Sequence, residues 1–139
     1  MLQANLSVSA PGVLRGMHFH RRQWDVWVPL EGTAFIALTD LRTGSPVQGQ
    51  SRTEVVDAAA GLRALVVSPG VAHGFCALGP VELLYLVTAE YDGTDEHGFR
   101  WDDPDAGIDW PLASPVLSPR DREAGLLAAI LADPPPFLG

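Results

Sequence analysis

The chain has 139 residues, of which 47% are hydrophobic, and a formal net charge of −8. That length is most simply one domain with a substantial core. The nine basic residues are all arginines, so no lysine is present for Schiff-base chemistry. An acidic chain without basic clusters argues against nucleic acid and anionic membranes as partners.

Cysteine usage and the N-terminal residues indicate a reducing compartment. The single cysteine, Cys76, lies in an apolar run and is interpreted as a small buried hydrophobe rather than a reactive thiol. One cysteine cannot form an internal disulfide. The first residues lack the features of a secretory signal, and no apolar run reaches membrane-spanning length. We therefore expect a cytoplasmic protein without a membrane partner.

Short alternating segments separated by Gly and Pro predict a series of strands. They cover residues 2–9, 13–20, 24–30, 33–40, 51–57, 62–67 and 81–91. Gly16 inside the second strand indicates a bulge or a close backbone approach. Residues 42–46 predict a hairpin loop, and residues 69–80 a second loop. This spacing of strands and turns indicates an all-β sandwich or barrel.

The last third of the chain has a different character. Prolines and aspartates interrupt residues 92–115, which therefore form a long loop or a linker, and their aromatic residues favour order. The sequence at residues 118–121 predicts the start of a helix, with Ser118 as the N-cap and Pro119 at the first helical position. An apolar stripe follows, formed by Leu126, Leu127, Ile130 and Leu131. We predict a single domain: a β unit over 1–115 and a C-terminal helix within 116–139 that packs on it.

Three histidines and an aspartate form a candidate metal set. His18 and His20 are two apart in a predicted strand, so both imidazoles leave one face. Asp25 follows five residues later, and His73 lies in a distant turn sequence. Imidazole with carboxylate suits Zn, Fe, Ni or Mn. The spacing resembles the metal motifs of the cupin superfamily, with Asp25 in place of the usual glutamate.

Each candidate residue also has a purely structural interpretation. His20 precedes two arginines and would lie at a strand end, and Asp25 could simply pair with one of them. Asp121 could be only a helix-capping residue, and Tyr85 a core side chain. His97 belongs to no motif and is expected to be solvated. Of the two tryptophans at positions 24 and 27, opposite parity places one towards the interior.

Five strings, in order along nearly the whole chain, resemble the dTDP-4-dehydrorhamnose 3,5-epimerase (RmlC-like) family. They are GVLRGMHF at 12–19, DLRTGSP at 40–46, PGVAHGF at 69–75, RWDDP at 100–104 and GIDWPL at 107–112. The resemblance implies a cupin double-stranded β-helix, or jelly roll, with a short C-terminal helix. It implies a dimeric isomerase of deoxysugar biosynthesis that requires no cofactor. The implied partner is a small-molecule sugar nucleotide, a dTDP-4-keto-6-deoxyhexose or a relative.

The resemblance also implies roles for individual residues. His18 matches the family's general base, Asp121 the carboxylate that orients this base, and Tyr85 the tyrosine that returns a proton on the opposite face. The residues that match or accompany the substrate-binding positions are Arg15, His73, Gln3, Asn5 and Tyr91. Removing a proton next to a carbonyl requires a base and stabilisation of the resulting enolate.

The chain departs from the family pattern at three places. Asp25 stands where the family has the lysine that stabilises the enolate, and His20 stands where the family normally has no histidine. The printed sequence starts after the family's N-terminal Arg/Phe/Glu string, which contacts the nucleotide. A divalent metal at His18, His20, Asp25 and His73 would act as a Lewis acid in the lysine's place. A metal-dependent isomerase, lyase or oxygenase, and a non-catalytic sugar-binding homologue, are therefore the alternatives.

Overall fold

A computed structural model of the chain describes residues 3–91 and 93–136, and strands are its main regular secondary structure. The strands are β1 (Gln3–Ser9), β2 (Leu14–Phe19), β3 (Asp25–Glu31), β4 (Thr33–Asp40), β5 (Ser51–Asp57), β6 (Leu65–Val67), β7 (Val71–Ala77), β8 (Val81–Val87) and β9 (His97–Gly98). The helices are α1 (Pro119–Arg122) and α2 (Leu127–Ala132), and short 3-10 turns cover Ala58–Ala60 and Pro104–Ala106. Parts of the predicted segments at residues 1–2, 92 and 137–139 lie outside the described residues.

Two antiparallel sheets form the predicted all-β jelly roll. One sheet has the strand order β1-β8-β3-β6, and the other has the order β5-β4-β7-β2-β9. Strands that are distant in sequence therefore become neighbours, because β8 lies between β1 and β3 and β7 lies between β4 and β2. None of the helices in 3–91 and 93–136 has the length and apolar character needed to cross a membrane.

The five-stranded sheet packs apolar side chains on both faces. Neighbouring residues of a strand point to opposite faces, and Ile36 and Ala37 of β4 belong to different buried clusters. The inner cluster, between the sheets, includes Trp27, Ile36, Phe75 and Leu83. The outer cluster includes Met17, Phe19, Leu41, Phe99 and Leu127. The loop after β9 and the second helix therefore cover the outer face of this sheet.

The outer cluster explains why the predicted loop at 92–115 is ordered. Phe99 is fully buried, and burying a side chain of this size stabilises a fold by about 1.5–3 kcal/mol. The Nε1 atom of Trp110 donates to the carbonyl of Trp101 at 2.7 Å. His97, expected to be solvated, has a side chain that is 36% exposed, and it also pairs through β9 with Phe19, whose ring stacks on it at 5.1 Å.

The predicted loop at 69–80 is wrong, because it contains β7. This strand lies inside its sheet, and its residues from Ala72 to Ala77 are all buried. A strand buried on both faces shows no alternation of apolar and polar residues. The Pro-Gly and Gly-Pro pairs at its two ends then resemble a single loop. The sequence also missed β9, which lies within the predicted loop at 92–115. Further differences are at strand ends, because β6 begins at Leu65 and β8 ends at Val87.

The predicted C-terminal helix is two short helices. The Oγ atom of Ser118 accepts from the backbone N–H of Asp121 at 3.1 Å, as the capping motif predicts. The chain then leaves the helix, and the N–H of Leu127 donates to the Asp103 carboxylate at 2.8 Å to start α2. The carbonyl of Gly125 accepts from the N–H of Arg100. Contacts with the 93–115 loop thus replace helical hydrogen bonds between the two segments.

Gly16 makes the close backbone approach that its position predicts. Its φ is +135°, and a Cβ atom there would lie 2.6 Å from the Cα of Gly74. The pairing of β2 with β7 shifts register between Arg15 and His18, which is the predicted bulge. After this shift His18 lies directly opposite His73. The bulge therefore brings two distant histidines to one place on the sheet.

Candidate active site

A pocket of about 490 Å³ opens between the two sheets. Side chains of β1, β3 and β8 line it from one sheet, and side chains of β2 and β7 line it from the other. All ten residues named from the sequence contribute to its wall: Gln3, Asn5, Arg15, His18, His20, Asp25, His73, Tyr85, Tyr91 and Asp121. The fold thus collects these residues in one place, while their individual roles stay predictions.

His18 and Asp121 form a short polar contact in this pocket wall. Nε2 of His18 lies 2.5 Å from Oδ1 of Asp121, whose side chain is 5% exposed. The other carboxylate oxygen accepts from the N–H of Gly16 at 3.4 Å. Burial alone would raise the pKa of Asp121, but the hydrogen bond and charge of His18 outweigh it, and the pKa is lowered. The contact with His18 therefore favours the ionised form of Asp121, while the N–H of Asp121 completes the cap of α1.

Tyr85 faces the pocket from the opposite sheet. It lies on β8, between Asn5 of β1 and Trp27 of β3. Burial raises the pKa of its phenol, and the charge of Arg15 opposes this shift only in part. The hydroxyl is thus protonated at neutral pH and able to donate a proton.

Polar side chains of β1 line the pocket beside Tyr85. Nε2 of Gln3 donates to Oδ1 of Asn5 at 2.8 Å, and Oε1 of Gln3 accepts from the N–H of Tyr91 at 3.3 Å. Nε of Arg15 donates to Oγ of Ser9 at 3.1 Å. Tyr91 itself is 72% exposed. This part of the wall offers several hydrogen-bond donors and one permanent positive charge to a polar ligand.

The sequence analysis missed two charged residues of the pocket. Oε1 of Glu96 pairs with Nη1 of Arg120 at 2.5 Å. Burial raises the pKa of Glu96, but the hydrogen bond from Arg120 outweighs it, so the pKa is lowered. Glu96 lies in a loop without a motif, and Arg120 has the sequence position of an ordinary first-turn helix residue, so no local signal identifies either as a pocket residue.

Trp27, rather than Trp24, is the tryptophan that faces inwards, and its ring meets the His73 ring edge-on with the ring centroids 5.1 Å apart.

His20, Asp25 and His73 form a second histidine and carboxylate cluster. Oδ2 of Asp25 lies 3.3 Å from Nε2 of His73 and 3.9 Å from Nε2 of His20. Among the described residues, one potential ligand atom from each of these three side chains lies within 4.8 Å of the other two. His18 lies outside this cluster because Asp121 holds its ring from the side of α1. Three of the four predicted metal ligands therefore lie in one group, which does not include His18, and metal binding stays a prediction.

The structural interpretation of Asp25 as an arginine partner is wrong. Arg21 pairs with Asp133 at 3.5 Å, and Arg22 pairs with Asp95 at 3.6 Å. Asp25 is 3% exposed and accepts from Nε2 of Gln23 at 2.6 Å through its other oxygen. Burial raises its pKa, but the hydrogen bond and charge of His73 outweigh this and lower it. The position of His20 just after β2 agrees with the strand end that was expected.

Comparison with known proteins gives one consistent result. A family model described as dTDP-4-dehydrorhamnose 3,5-epimerase matches residues 1–129. A dTDP-4-dehydrorhamnose 3-epimerase of Streptomyces niveus is 43% identical over an alignment of 139 positions, which covers 92% of this chain and 63% of that protein. This chain therefore spans slightly less than two thirds of that relative's length.

Two solved structures are similar along almost the whole chain. NovW, a 4-keto-6-deoxy sugar epimerase from the novobiocin biosynthetic gene cluster of Streptomyces spheroides, has a TM-score of 0.90 and 41% identity, covering 97% of this chain and 70% of its own. RmlC of Legionella pneumophila Philadelphia 1, in complex with dTDP-4-keto-L-rhamnose, has a TM-score of 0.88 and 34% identity, with coverage of 99% and 76%. With the match to the family model, they show that this chain belongs to the dTDP-4-dehydrorhamnose 3,5-epimerase family.

Proposed function

We propose that this chain is a sugar-nucleotide epimerase acting on a dTDP-4-keto-6-deoxyhexose-like substrate in deoxysugar biosynthesis. The observation that carries the proposal is the hydrogen bond between His18 and Asp121 in a pocket that Tyr85 lines from the opposite sheet. An oriented base and a protonated acid on opposite walls are the groups needed to invert a carbon next to a ketone. The NovW and Legionella relatives support the sugar class.

The partner of His18 determines which of its nitrogens acts as the base. An ionised carboxylate only accepts hydrogen bonds, so Nε2 of His18 carries the proton shared with Asp121 and Nδ1 carries the lone pair. Nδ1 takes the proton from the carbon next to the C4 ketone. The electrons of the broken C–H bond form the enolate, whose charge lies on the ketone oxygen. Asp121 stabilises the imidazolium that results.

Tyr85 completes the inversion. Its hydroxyl donates a proton to the opposite face of the enolate carbon, and the electrons return from oxygen to re-form the ketone. The positive charge of Arg15 acts on Tyr85 and stabilises the phenolate that remains. His18 then releases its proton and Tyr85 regains one, so the enzyme returns to its starting state. The net reaction is redox-neutral and requires no nicotinamide or flavin.

Hydrogen exchange into the substrate tests this proposal. The protein is incubated with dTDP-4-keto-6-deoxyglucose in heavy water, and NMR follows loss of the signals of the hydrogens next to the ketone. We expect exchange with the wild type and its loss with His18→Asn. His97→Asn is the matched control, because His97 does not line this pocket. Binding of dTDP by the folded wild type without any exchange would overturn the proposal in favour of a non-catalytic homologue.

We also propose that the chain forms a cytoplasmic homodimer through the outer face of the four-stranded sheet. Cross-strand pairs place Leu6 beside Leu84 and Leu84 beside Val28, and Val26 beside Val66. Leu6 is 57% exposed and Val66 is 59% exposed. A continuous apolar sheet face of this kind is typical of an interface between subunits.

The dimer has its own test. Sedimentation equilibrium of the wild type is expected to give twice the monomer mass, and Leu6→Glu is expected to shift the protein towards monomer. Val55→Glu is the control, because Val55 is also exposed but lies on β5 of the other sheet. A monomeric wild type, or equal dissociation by both variants, would contradict this interface.

A further inference from the structure

We propose that His20, Asp25 and His73 bind a divalent transition-metal ion in the pocket wall. Their side chains are 13%, 5% and 5% exposed, and their potential ligand atoms lie within 4.8 Å of one another. Bonds of about 2.0–2.2 Å to a shared ion place neighbouring ligand atoms about 3.0–3.6 Å apart. The separation of 3.3 Å between Asp25 and His73 already matches, and the 3.9 Å between Asp25 and His20 requires only a small movement.

The hydrogen bonds behind the two imidazoles direct their lone pairs to one point. Nδ1 of His20 lies 2.6 Å from the carbonyl oxygen of Asp95, and Nδ1 of His73 lies 3.1 Å from the carbonyl oxygen of Val71. A carbonyl oxygen only accepts, so both Nδ1 atoms carry hydrogen. In the neutral rings both Nε2 lone pairs then face Asp25, whose carboxylate is also an acceptor. Either a proton on one imidazole or a cation shared by all three side chains balances these acceptors, and metal titration distinguishes the two.

The surroundings of the three side chains are those of metal ligands. Histidines that bind metals usually donate their second ring N–H to a backbone carbonyl or a carboxylate, as both histidines do here. The second oxygen of Asp25 is held by Gln23. The carboxylate of Asp95 accepts from the backbone N–H groups of Arg21 and Arg22 at 2.7 and 2.9 Å, which fixes the loop that holds His20. The cluster is therefore oriented before an ion binds.

The composition of the cluster indicates the class of ion. Two imidazoles and one carboxylate suit Zn²⁺, Co²⁺, Ni²⁺ or Fe²⁺ better than Mg²⁺ or Ca²⁺, which prefer oxygen ligands. The thiol of Cys76 does not line the pocket. Three protein ligands beside an open cavity leave coordination positions for water or a ligand, as in catalytic rather than structural sites.

The role of the ion, unlike its binding, rests on the proposed epimerase function. A cation at Asp25 would lie where the family resemblance places a lysine, and it would polarise the ketone oxygen as that lysine does. No additional bond of the substrate breaks, because the proton still passes to His18. The chain, which has no lysine, would then stabilise the enolate by a different group.

Metal titration of the purified protein tests the site. After treatment with a chelator and its removal, Zn²⁺ is titrated by calorimetry, and Co²⁺ is titrated by its visible absorption. We expect one ion per chain, with affinity lowered by more than about 100-fold by His20→Gln or by Asp25→Asn, because loss of a ligand costs more than loss of a residue that only orients one. His97→Asn, at a histidine outside the cluster, is expected to bind as the wild type does. Circular dichroism confirms that each variant is folded.

The outcomes separate this site from the proposed function. Absence of binding at 1 mM Zn²⁺ and Co²⁺, or equal binding by the wild type and both folded variants, would overturn the metal site. Exchange by such a metal-free protein would leave the epimerase proposal intact. Binding of one ion with loss of exchange on adding chelator would support the site and its role. If the protein binds one ion but its hydrogen exchange is unchanged by the chelator, the metal site would be supported and only its role in the reaction would be contradicted.

Discussion

One pocket holds two histidine and carboxylate clusters that use the same residue types differently. In the first, Nε2 of His18 is bonded to Asp121, which leaves Nδ1 as the basic atom. In the second, backbone carbonyls hold the Nδ1 atoms of His20 and His73, so Nε2 is the free atom on each ring. The partner of one ring nitrogen therefore determines what the other can do. A carboxylate beside one imidazole suits the proposed base, whereas a carboxylate between two imidazoles suits the proposed set of metal ligands.

Substitution of Gly16 should disable both clusters at once. In Gly16→Ala the new Cβ would meet the backbone of Gly74 at 2.6 Å, at a φ of +135°, so β2 and β7 must separate. We expect a loss of about 2–4 kcal/mol in the free energy of unfolding, measured in urea, with loss of exchange and of Co²⁺ binding. Gly44→Ala is the control, because its φ is +80° with no atom within 4 Å. Backbone strain alone should cost about 1 kcal/mol there. Equal stability of the two variants would contradict this explanation.

Removal of the base should separate the two clusters. His18→Asn is expected to lower the rate of hydrogen exchange about 10²-fold to 10⁴-fold, the usual contribution of a general base. Co²⁺ binding should persist, because His18 lies outside the second cluster. Both quantities are measured on the same preparation. If Co²⁺ binding fell together with exchange while the protein stayed folded, the division of the pocket into two clusters would be wrong.

Removal of the Tyr85 hydroxyl tests whether Tyr85 is the proton donor that acts opposite His18. Tyr85→Phe leaves His18 and Asp121 in place, so exchange next to the ketone should continue. Formation of the inverted product should fall about 10²-fold, because the opposite face has lost its proton donor. Product configuration is read by NMR beside the exchange rate. Tyr91→Phe, at an exposed phenol of the same pocket, is expected to change inversion by less than about 10-fold. An unchanged inversion rate in Tyr85→Phe would assign the acid elsewhere.

A buried carboxylate without a histidine provides the pH comparison. Asp40 accepts from Arg42 at 2.7 Å and from Ser45 at 2.8 Å. Burial raises its pKa, but the hydrogen bonds and charge of Arg42 outweigh it, so its pKa is below 3.8. Its stabilising effect is therefore present above about pH 4 and is lost as the pH falls through the lower folded-state pKa.

Asp40→Asn tests this contribution with the smallest expected effect. It should reduce the free energy of unfolding by about 1–3 kcal/mol at pH 7 and by less at pH 3, measured in urea. Exchange at pH 7 should be unchanged, because Asp40 does not line the pocket. A loss that is as large at pH 3 as at pH 7 would show that the effect does not arise from ionised Asp40.

Local patterns predicted the elements that depend on neighbouring residues. β4 and β5 match their predicted bounds at both ends, because turn sequences that contain glycine lie on both sides of each strand. The Ser118 cap forms as predicted, since its hydrogen bond spans three residues. The family resemblance predicted that His18, His73 and Tyr85 share one site, and all three line the pocket. Such features require only the chain's own order and spacing.

Long-range contacts account for what local patterns missed. The sequence pattern did not reveal β7, because a strand buried on both faces has no alternation of polar and apolar residues. The second helix begins only at Leu127, where the backbone N–H donates to the Asp103 carboxylate of the preceding loop. Glu96 and Arg120 meet only when that loop folds beside α1.

The sequence identified the histidines and carboxylates of the two clusters. It did not show which histidine lies beside which carboxylate. The carboxylate that holds His18 lies 103 residues away along the chain, and the carbonyl that holds His20 lies 75 residues away. No pattern in the strand that contains His18 distinguishes the two rings, because both face the same pocket. Packing of the loop and α1 against β2 gives each imidazole a different partner, and that partner decides whether the ring serves as a base or as a candidate ligand.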